Sequence, residues 1–212
     1  MRESLASATK GSTGIKVRKR ENVYSAGEPA DSVYFIESGE VKLVIVASRG
    51  KECLLAIHGA GDVFGELCLS GLEGRVETAT AMDDCVLKQI PCIRFLERLV
   101  EDHLQQGFLK YLAVRVGDQQ QVIANLVTAD SEQRLATTLL QLARTKGKQD
   151  PQSIRIDLKI SHDELASIIG TTRPRISVFM QRFRNLGLIA MSADHYIIIK
   201  EGKLASYLES IA

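Results

Sequence analysis

Residues 161–177, SHDELASIIGTTRPRIS, carry the clearest structural pattern in the C-terminal part of the chain. Ser161 and, three positions later, Glu164 form the capping-box pattern with which helices begin. Gly170 is typical of the residue that ends a helix, and Thr172 is a suitable N-cap for the next one. The sequence therefore predicts two helices joined by a short turn that contains glycine, which is the helix-turn-helix arrangement.

The predicted second helix, residues 173–186, has an apolar side for the core and a basic side. Within residues 173–184 there are four arginines and no acidic residue. Arginine near the start of such a helix can pair with guanine, valine can contact a thymine methyl group, and the preceding turn can bind phosphate. The candidate DNA-contacting residues are Thr171, Thr172, Arg173, Arg175, Ser177, Val178 and Arg182. An ordinary helical hairpin with a solvated basic face is the alternative interpretation.

The segments around this pair of helices complete a winged domain. Two short strands, at 188–191 and 196–200, are predicted to form the wing. Upstream, the pattern predicts a helix at 131–145, a loop at 145–151 and a strand at 154–158.

The N-terminal part of the chain has a different texture, that of short β-strands. Apolar stretches at 33–36, 41–46, 53–57 and 85–90 alternate with turns rich in glycine and acidic residues. Short strands at this spacing favour a sandwich or a barrel.

A long helix is predicted to follow the strands. After Pro91 the pattern predicts a short helix at 92–101 and a long one at 105–128. Phe108, Leu112, Val116 and Ile123 would give the long helix an apolar seam. Packing against a second copy of the chain would bury this seam, and packing on the chain's own barrel is the alternative.

The composition limits the classes of function. The 212 residues carry a net charge of +1, and no apolar run is long enough for a membrane span. The first 14 residues do not resemble a signal peptide and are expected to be poorly ordered, so a cytoplasmic location is expected. The four cysteines show no metal-site spacing and are interpreted as buried thiols rather than redox or metal-binding groups. We expect no catalytic residues, no metal site and no enzymatic activity.

Both halves of the chain resemble the Crp/Fnr family of bacterial transcription regulators, in the same order. The matching stretches are residues 33–42 and 59–67 in the barrel and residues 163–177 in the helix-turn-helix. The resemblance implies an α+β fold with a sensory jelly-roll β-barrel at 1–103, a central dimerisation helix at 104–129 and a winged helix-turn-helix at 130–212. It also implies a homodimer, a near-palindromic site on double-stranded DNA, and RNA polymerase as a partner.

In cyclic-AMP-binding relatives, a Gly-Glu-Leu segment contacts the ribose and a downstream arginine holds the phosphate. The resemblance implies an effector site made of Gly65, Glu66, Leu67, Arg75, Val76, Gln119 and Gln120. Val76 replaces a hydroxyl-bearing residue, and Glu77 adds a negative charge. An ion pair between Glu66 and Arg75 that braces an empty barrel is the alternative.

Three functions remain open at this point. The chain is a regulator gated by an effector such as cyclic AMP, a regulator of the same fold with a vestigial pocket, or a cyclic-nucleotide-binding module that does not act on DNA. The DNA-reading helix also departs from well-known members, because Pro174 and Val178 replace an acidic residue and an arginine. We therefore expect an unusual DNA half-site.

Overall fold

A computed structural model describes residues 12–47, 52–150 and 153–211 of the chain. The chain separates into two compact units, with the division between Gly117 and Asp118. Most of the N-terminal segment that we expected to be poorly ordered lies outside the described residues. The predicted three-part organisation, in which residues 104–129 form a separate dimerisation helix, stays a prediction.

The first unit is a sandwich of two four-stranded antiparallel sheets. Its strands are β1 (Thr13–Val17), β2 (Asn22–Tyr24), β3 (Ser32–Ser38), β4 (Glu40–Val46), β5 (Glu52–Gly59), β6 (Val63–Phe64), β7 (Thr78–Ala81) and β8 (Cys85–Pro91). One sheet has the order β1-β8-β3-β6 and the other β2-β7-β4-β5. A 3₁₀ helix, Glu66–Ser70, follows β6. The predicted jelly-roll class and the four strands that the sequence indicated are confirmed.

Strand β3 is the central strand of this unit because it is covered on both sides. Tyr34 and Ile36 point between the sheets, where Phe64 and Leu87 also lie. Val33 and Phe35 belong instead to a second cluster on the outer side of the sheet. A strand buried on both faces has a continuous apolar run rather than an alternating pattern, which explains the sequence SVYFI at residues 32–36.

Helices α1 (Cys92–Glu101) and α2 (Gln105–Thr128) follow the last strand. Phe95 and Leu99 of α1 and Phe108 of α2 cover the outer side of the β3 sheet. The rings of Phe95 and Phe108 meet edge to face, with centroids 5.1 Å apart, an arrangement that aromatic pairs favour. Both helices occur where the sequence predicts them, but Phe108 and Leu112 of the predicted apolar seam pack on the chain's own barrel, as the alternative interpretation holds.

The second unit contains a small sheet and four further helices within its described residues. The helices are α3 (Ser131–Lys146), α4 (His162–Ile169), α5 (Arg173–Asn185) and α6 (Glu201–Ser210), and the strands are β9 (Gly147–Asp150), β10 (Ser153–Ile156), β11 (Ile189–Met191) and β12 (Ile197–Ile199). The sheet order is β11-β12-β10-β9, and all pairs are antiparallel.

One prediction for this unit is wrong, and one helix was not predicted. The predicted loop at 145–151 contains β9, because residues 147–150 pair with β10 in an antiparallel register. Helix α6, whose Leu204 is fully buried, was not predicted from the sequence. Neither segment has a strong local signal: β9 depends on its pairing with β10, and α6 depends on the burial of Leu204.

No helix in the described parts of the chain is long and apolar enough to cross a membrane.

Candidate effector site and nucleic-acid interface

The candidate effector site begins at Gly65, where strand β6 ends and the 3₁₀ helix starts. Gly65 has a left-handed backbone with φ of 79°. A Cβ at this position would lie 2.9 Å from Arg75 Nη1 and 3.2 Å from Ser32 O. Only glycine fits here without displacing its neighbours, because both the left-handed conformation and the lack of space disfavour a side chain.

Arg75 is a buried brace between two backbone segments. Its side chain donates from Nη1 to Gly65 O at 2.9 Å and from Nη2 to Ser32 O at 2.6 Å. Its guanidinium carbon also lies 4.2 Å from the centre of the Tyr24 ring. Arg75 Nε is buried and has no hydrogen-bond partner among the described residues. The residue that we predicted to bind phosphate therefore already connects two backbone segments of the barrel.

The alternative of a Glu66–Arg75 ion pair is wrong. Glu66 Oε1 lies 2.7 Å from Nη1 of Arg115, a residue of α2 that the sequence analysis missed. Burial is the largest single effect on Arg115 and lowers its pKa, but the charges and hydrogen bonds of Glu66 and Tyr111 together outweigh burial and raise the pKa of Arg115. Nothing in the local sequence connects Arg115 with Glu66, because the contact depends on how α2 packs against the barrel.

A second buried carboxylate, Glu77, faces the same region. Glu77 Oε1 accepts a hydrogen bond of 2.8 Å from the Tyr24 hydroxyl. Burial and the charge of Glu77 raise the pKa of Tyr24, and Glu66 contributes in the same direction. The other carboxylate oxygens, Glu66 Oε2 and Glu77 Oε2, are buried and have no hydrogen-bond partner among the described residues. Buried acceptors without partners are costly and are often satisfied by a ligand or water.

The other predicted effector residues are placed differently. Leu67 and Val76 lie beside this cluster in the chain, but their side chains are 42% and 46% exposed. Gln119 and Gln120 are exposed residues of α2 that belong to the second compact unit. Their part in an effector site stays a prediction. The site residues that the structure groups are Gly65, Glu66 and Arg75, together with Tyr24, Glu77 and Arg115.

In the second unit, the helix-turn-helix forms as the sequence predicts. Ser161 Oγ accepts from Glu164 N at 3.2 Å, and Glu164 Oε2 accepts from Ser161 N at 2.8 Å. Gly170 ends α4 with a left-handed backbone. Thr172 occupies the predicted N-cap position of α5, but its side chain makes no capping hydrogen bond.

Helix α5 separates its core side from its exposed side. Ile176, Met180 and Phe183 are buried. The exposed candidates for DNA contact are Thr172, Arg173, Arg175, Ser177, Val178 and Arg182, whereas Thr171 is half-buried. Strands β11 and β12 pair from Ile189–Ile199 to Met191–Ile197 and form the predicted wing.

Three candidate residues already have partners. Ser177 Oγ lies 2.9 Å from His162 Nδ1, and Arg173 makes a loose ion pair of 3.7 Å with exposed Asp163. Arg182 Nη1 lies 2.8 Å from Glu132 Oε2, and Tyr207 donates to the other oxygen of Glu132 at 2.7 Å. Arg182 therefore connects α5 to α3, which the sequence analysis did not anticipate.

Comparison with known proteins agrees with this architecture. Residues 15–102 match the cyclic nucleotide-binding domain, and residues 133–207 match the Crp-like helix-turn-helix domain. A global nitrogen regulator from Synechocystis is 32% identical, over 82% of this chain and 79% of its own length. This chain belongs to the Crp/Fnr family of transcription regulators.

Two further relatives match more than nine-tenths of this chain. A "CRP-like cAMP-activated global transcriptional regulator" from Mycobacterium tuberculosis is 29% identical, over 95% of this chain and 91% of its own length. The structure of a CooA mutant from Carboxydothermus hydrogenoformans has a TM-score of 0.75 and 26% identity, and covers 94% of this chain and 89% of that one. The cyclic nucleotide-binding domain indicates a small-molecule effector, without specifying cyclic AMP.

Proposed function

We propose that this Crp/Fnr protein is a cytoplasmic homodimer that binds a near-palindromic DNA site through α5 and acts on RNA polymerase. A small molecule that donates hydrogen bonds to Glu66 and Glu77 controls its affinity for DNA. The observation that carries the proposal is the exposed basic end of α5, which follows a glycine turn and precedes a wing. This arrangement is the one with which winged helix-turn-helix proteins enter the major groove.

The exposed apolar side chains of α2 support the homodimer. Leu109, Val116 and Ile123 recur at intervals of seven residues and are 65%, 51% and 62% exposed. Leu126 and Val127 continue the apolar surface. A heptad repeat of exposed apolar residues on a long helix is stabilised by packing against a second helix. The second copy of α2 is the occupant that a symmetric dimer would provide.

For DNA reading, we assign base contacts to Arg173, Arg175, Ser177 and Val178. The loose pair between Arg173 and exposed Asp163 leaves Arg173 free to exchange its partner for DNA. Ser177 is oriented by His162. Thr171, Thr172 and Arg182 would contact the phosphate backbone.

The test of DNA reading uses Arg173→Ala against a selected operator and a scrambled duplex. Loss of a bidentate base contact should cost the operator complex about 1–3 kcal/mol and leave binding to the scrambled duplex nearly unchanged. Arg144→Ala is the matched control, because Arg144 is an exposed arginine in an ion pair on α3. Equal weakening on both duplexes would make Arg173 a phosphate contact instead.

The candidate effector site favours a ligand that donates hydrogen bonds. Glu66 Oε2 and Glu77 Oε2 are acceptors, and Arg75 Nε is a donor that could reach an oxygen of the same ligand. The hydroxyls of a ribose satisfy the first requirement. A cyclic phosphate would have to share Arg75 with Gly65 O and Ser32 O, with Glu77 nearby. Cyclic AMP is therefore the first probe rather than the assigned ligand.

The effector test is a calorimetric titration with cyclic AMP, cyclic GMP and adenosine. If the carboxylates bind ribose, Glu66→Gln should weaken the binding of all three compounds. If the unmodified protein binds the two cyclic nucleotides but not adenosine, the phosphate is essential for binding. An absence of heat with all three compounds, from protein that still binds its operator, supports the second candidate. That candidate is an effector-independent regulator, which the existing contacts of Arg75 and Glu66 favour.

A further inference from the structure

Two cysteines that are distant in sequence lie side by side in the first unit. Cys68 belongs to the 3₁₀ helix Glu66–Ser70, and Cys92 is the first residue of α1. Their sulfur atoms are 3.0 Å apart, with Cys68 Sγ donating to Cys92 Sγ. This distance is about 1 Å longer than a disulfide bond of about 2.0 Å. Both cysteines are present as free thiols.

The two thiols differ in their environments. Cys68 is 7% exposed, and burial together with the hydrogen bond to Cys92 raises the pKa of Cys68 to about 12. Cys92 is half-buried and lines an open cleft of about 560 Å³ with Asp31, Ser32 and Gln89. A small oxidant can therefore approach Cys92, whereas Cys68 lies behind it.

We propose that Cys68 and Cys92 form a modification site at which a peroxide converts the two thiols into a reversible intramolecular disulfide. In the first step, the Cys92 sulfur attacks one oxygen of hydrogen peroxide, the O–O bond breaks, and Cys92 sulfenic acid and one water form. In the second step, the Cys68 sulfur attacks the Cys92 sulfur, and the hydroxyl leaves with the Cys68 proton as a second water. The two thiols lose two electrons, which reduce the peroxide, and a dithiol reductant reverses the change.

The disulfide would join the two segments that Arg75 already connects. Arg75 donates to Gly65 O and Ser32 O. Cys68 N also donates to Gly65 O, at 3.3 Å, and Cys92 N donates to Asp31 O at 2.7 Å. Formation of the disulfide would therefore constrain the Gly65–Cys68 segment, whose backbone positions Glu66. This consequence for effector binding rests on the proposed function, whereas formation of the disulfide does not.

The other two cysteines have separate uses in the test: Cys53 is replaced in every protein, and Cys85 serves as the control thiol. Cys53 is exposed, contrary to our expectation of buried thiols, and Cys85 is buried. Cys85 Sγ donates to Glu40 O and Asp83 O. Replacing Cys53 with serine in every protein tested removes the exposed thiol that would form disulfides between molecules. Cys85 then reports whether peroxide oxidises buried thiols in general.

The experiment treats the folded Cys53→Ser protein with a slight excess of hydrogen peroxide and removes the excess with catalase. The protein is then unfolded, alkylated and analysed by peptide mass spectrometry. We expect nearly complete loss of alkylation at Cys68 and Cys92, together with full alkylation of Cys85. The two peptides should appear as a linked pair whose mass is two hydrogen atoms below the sum of the separate thiol peptides. Dithiothreitol should restore both thiols. Persistent alkylation of both, or a sulfinic acid on Cys92 beside a free Cys68, overturns the proposal.

Two further variants separate the roles of the thiols. In Cys68→Ser, dimedone should trap the sulfenic acid on Cys92 because no neighbouring thiol can condense with it. Cys85→Ser should form the same linked peptide as the background protein. Titrating the oxidised and reduced proteins with cyclic AMP then tests the effector consequence separately, since the disulfide is measured without any ligand.

Discussion

The Glu66 carboxylate lies 2.7 Å from the Arg115 guanidinium and ties the 3₁₀ helix of the barrel to the long helix α2. The two side chains are only 13% and 17% exposed, so water screens the pair weakly. Arg115 also lies over the ring of Tyr111, whose hydroxyl donates to Val63 O. The segment with the candidate effector carboxylate is thus fixed to α2 by both charge and packing.

Arg115→Gln should destabilise the protein, because it leaves the Glu66 carboxylate buried without its counter-charge. We expect a loss of up to about 3 kcal/mol in the free energy of unfolding. The double variant Glu66→Gln with Arg115→Gln removes both charges and should recover part of that loss. Urea unfolding measures all three variants. If the two single losses simply add in the double variant, the pair makes no direct contribution.

Gly65→Ala should destabilise the barrel through both strain and a clash. Gly71→Ala is a matched control, because Gly71 has φ of 80° against 79° at Gly65, and a Cβ at Gly71 would meet nothing within 4 Å. The control should lose about 1 kcal/mol from backbone strain alone. Gly65→Ala should lose more, since it also displaces Arg75, and thermal unfolding would compare the two. Equal losses would show that Arg75 moves aside at no cost.

Arg182→Ala should make DNA binding less sensitive to salt. Arg182 is 53% exposed, and only Nη1 is used in its pair with Glu132, so its remaining donors can take a phosphate oxygen. Removing one phosphate contact should reduce the slope of log affinity against log salt concentration by about 1. The slope is measured by fluorescence anisotropy on the operator duplex, with Arg144→Ala as the control. An unchanged slope would limit Arg182 to joining α5 with α3.

His162 should make the stability of the protein depend on pH. Burial lowers the pKa of His162 below its ordinary value of 6.5, and Arg173 and Arg184 act in the same direction, against Asp163. Between the folded and unfolded pKa values the unfolded chain binds more protons, so stability should fall as the pH drops through about 6.5.

The test for His162 compares urea unfolding midpoints of the unmodified protein and His162→Gln at about pH 7.5 and about pH 5.5. The unmodified protein should lose more stability on acidification than the variant, and the difference isolates His162 from the other three histidines. Identical pH dependence in the two proteins would contradict the lowered pKa.

Local patterns were sufficient to predict most helices and strands. The capping box at Ser161, the glycine at Gly170 and the alternation of turns and apolar runs in residues 15–90 each depend on neighbouring residues. Strand β9 was missed because its polar sequence has no strand pattern and its pairing with β10 defines it, and α6 was missed because its stability depends on the burial of Leu204.

The candidate sites were predictable to different degrees. The exposed side of α5 followed from helical spacing alone. The resemblance located Glu66 and Arg75, but their true partners could not be predicted, because Arg115 and Tyr24 approach them from other elements. Likewise, nothing in a spacing of 24 residues indicates that Cys68 and Cys92 touch.

Because Arg75 donates to both Gly65 O and Ser32 O, an arginine at this position is a weak indicator of nucleotide sensing in related sequences. In this chain an arginine at that position already serves folding, so selection for a stable barrel is enough to retain it after any ligand has been lost. Counting that arginine as evidence of cyclic-nucleotide sensing would overestimate the number of sensors. A better indicator of sensing is a residue of the site that the fold does not need, and in this chain the exposed Val76 is such a residue.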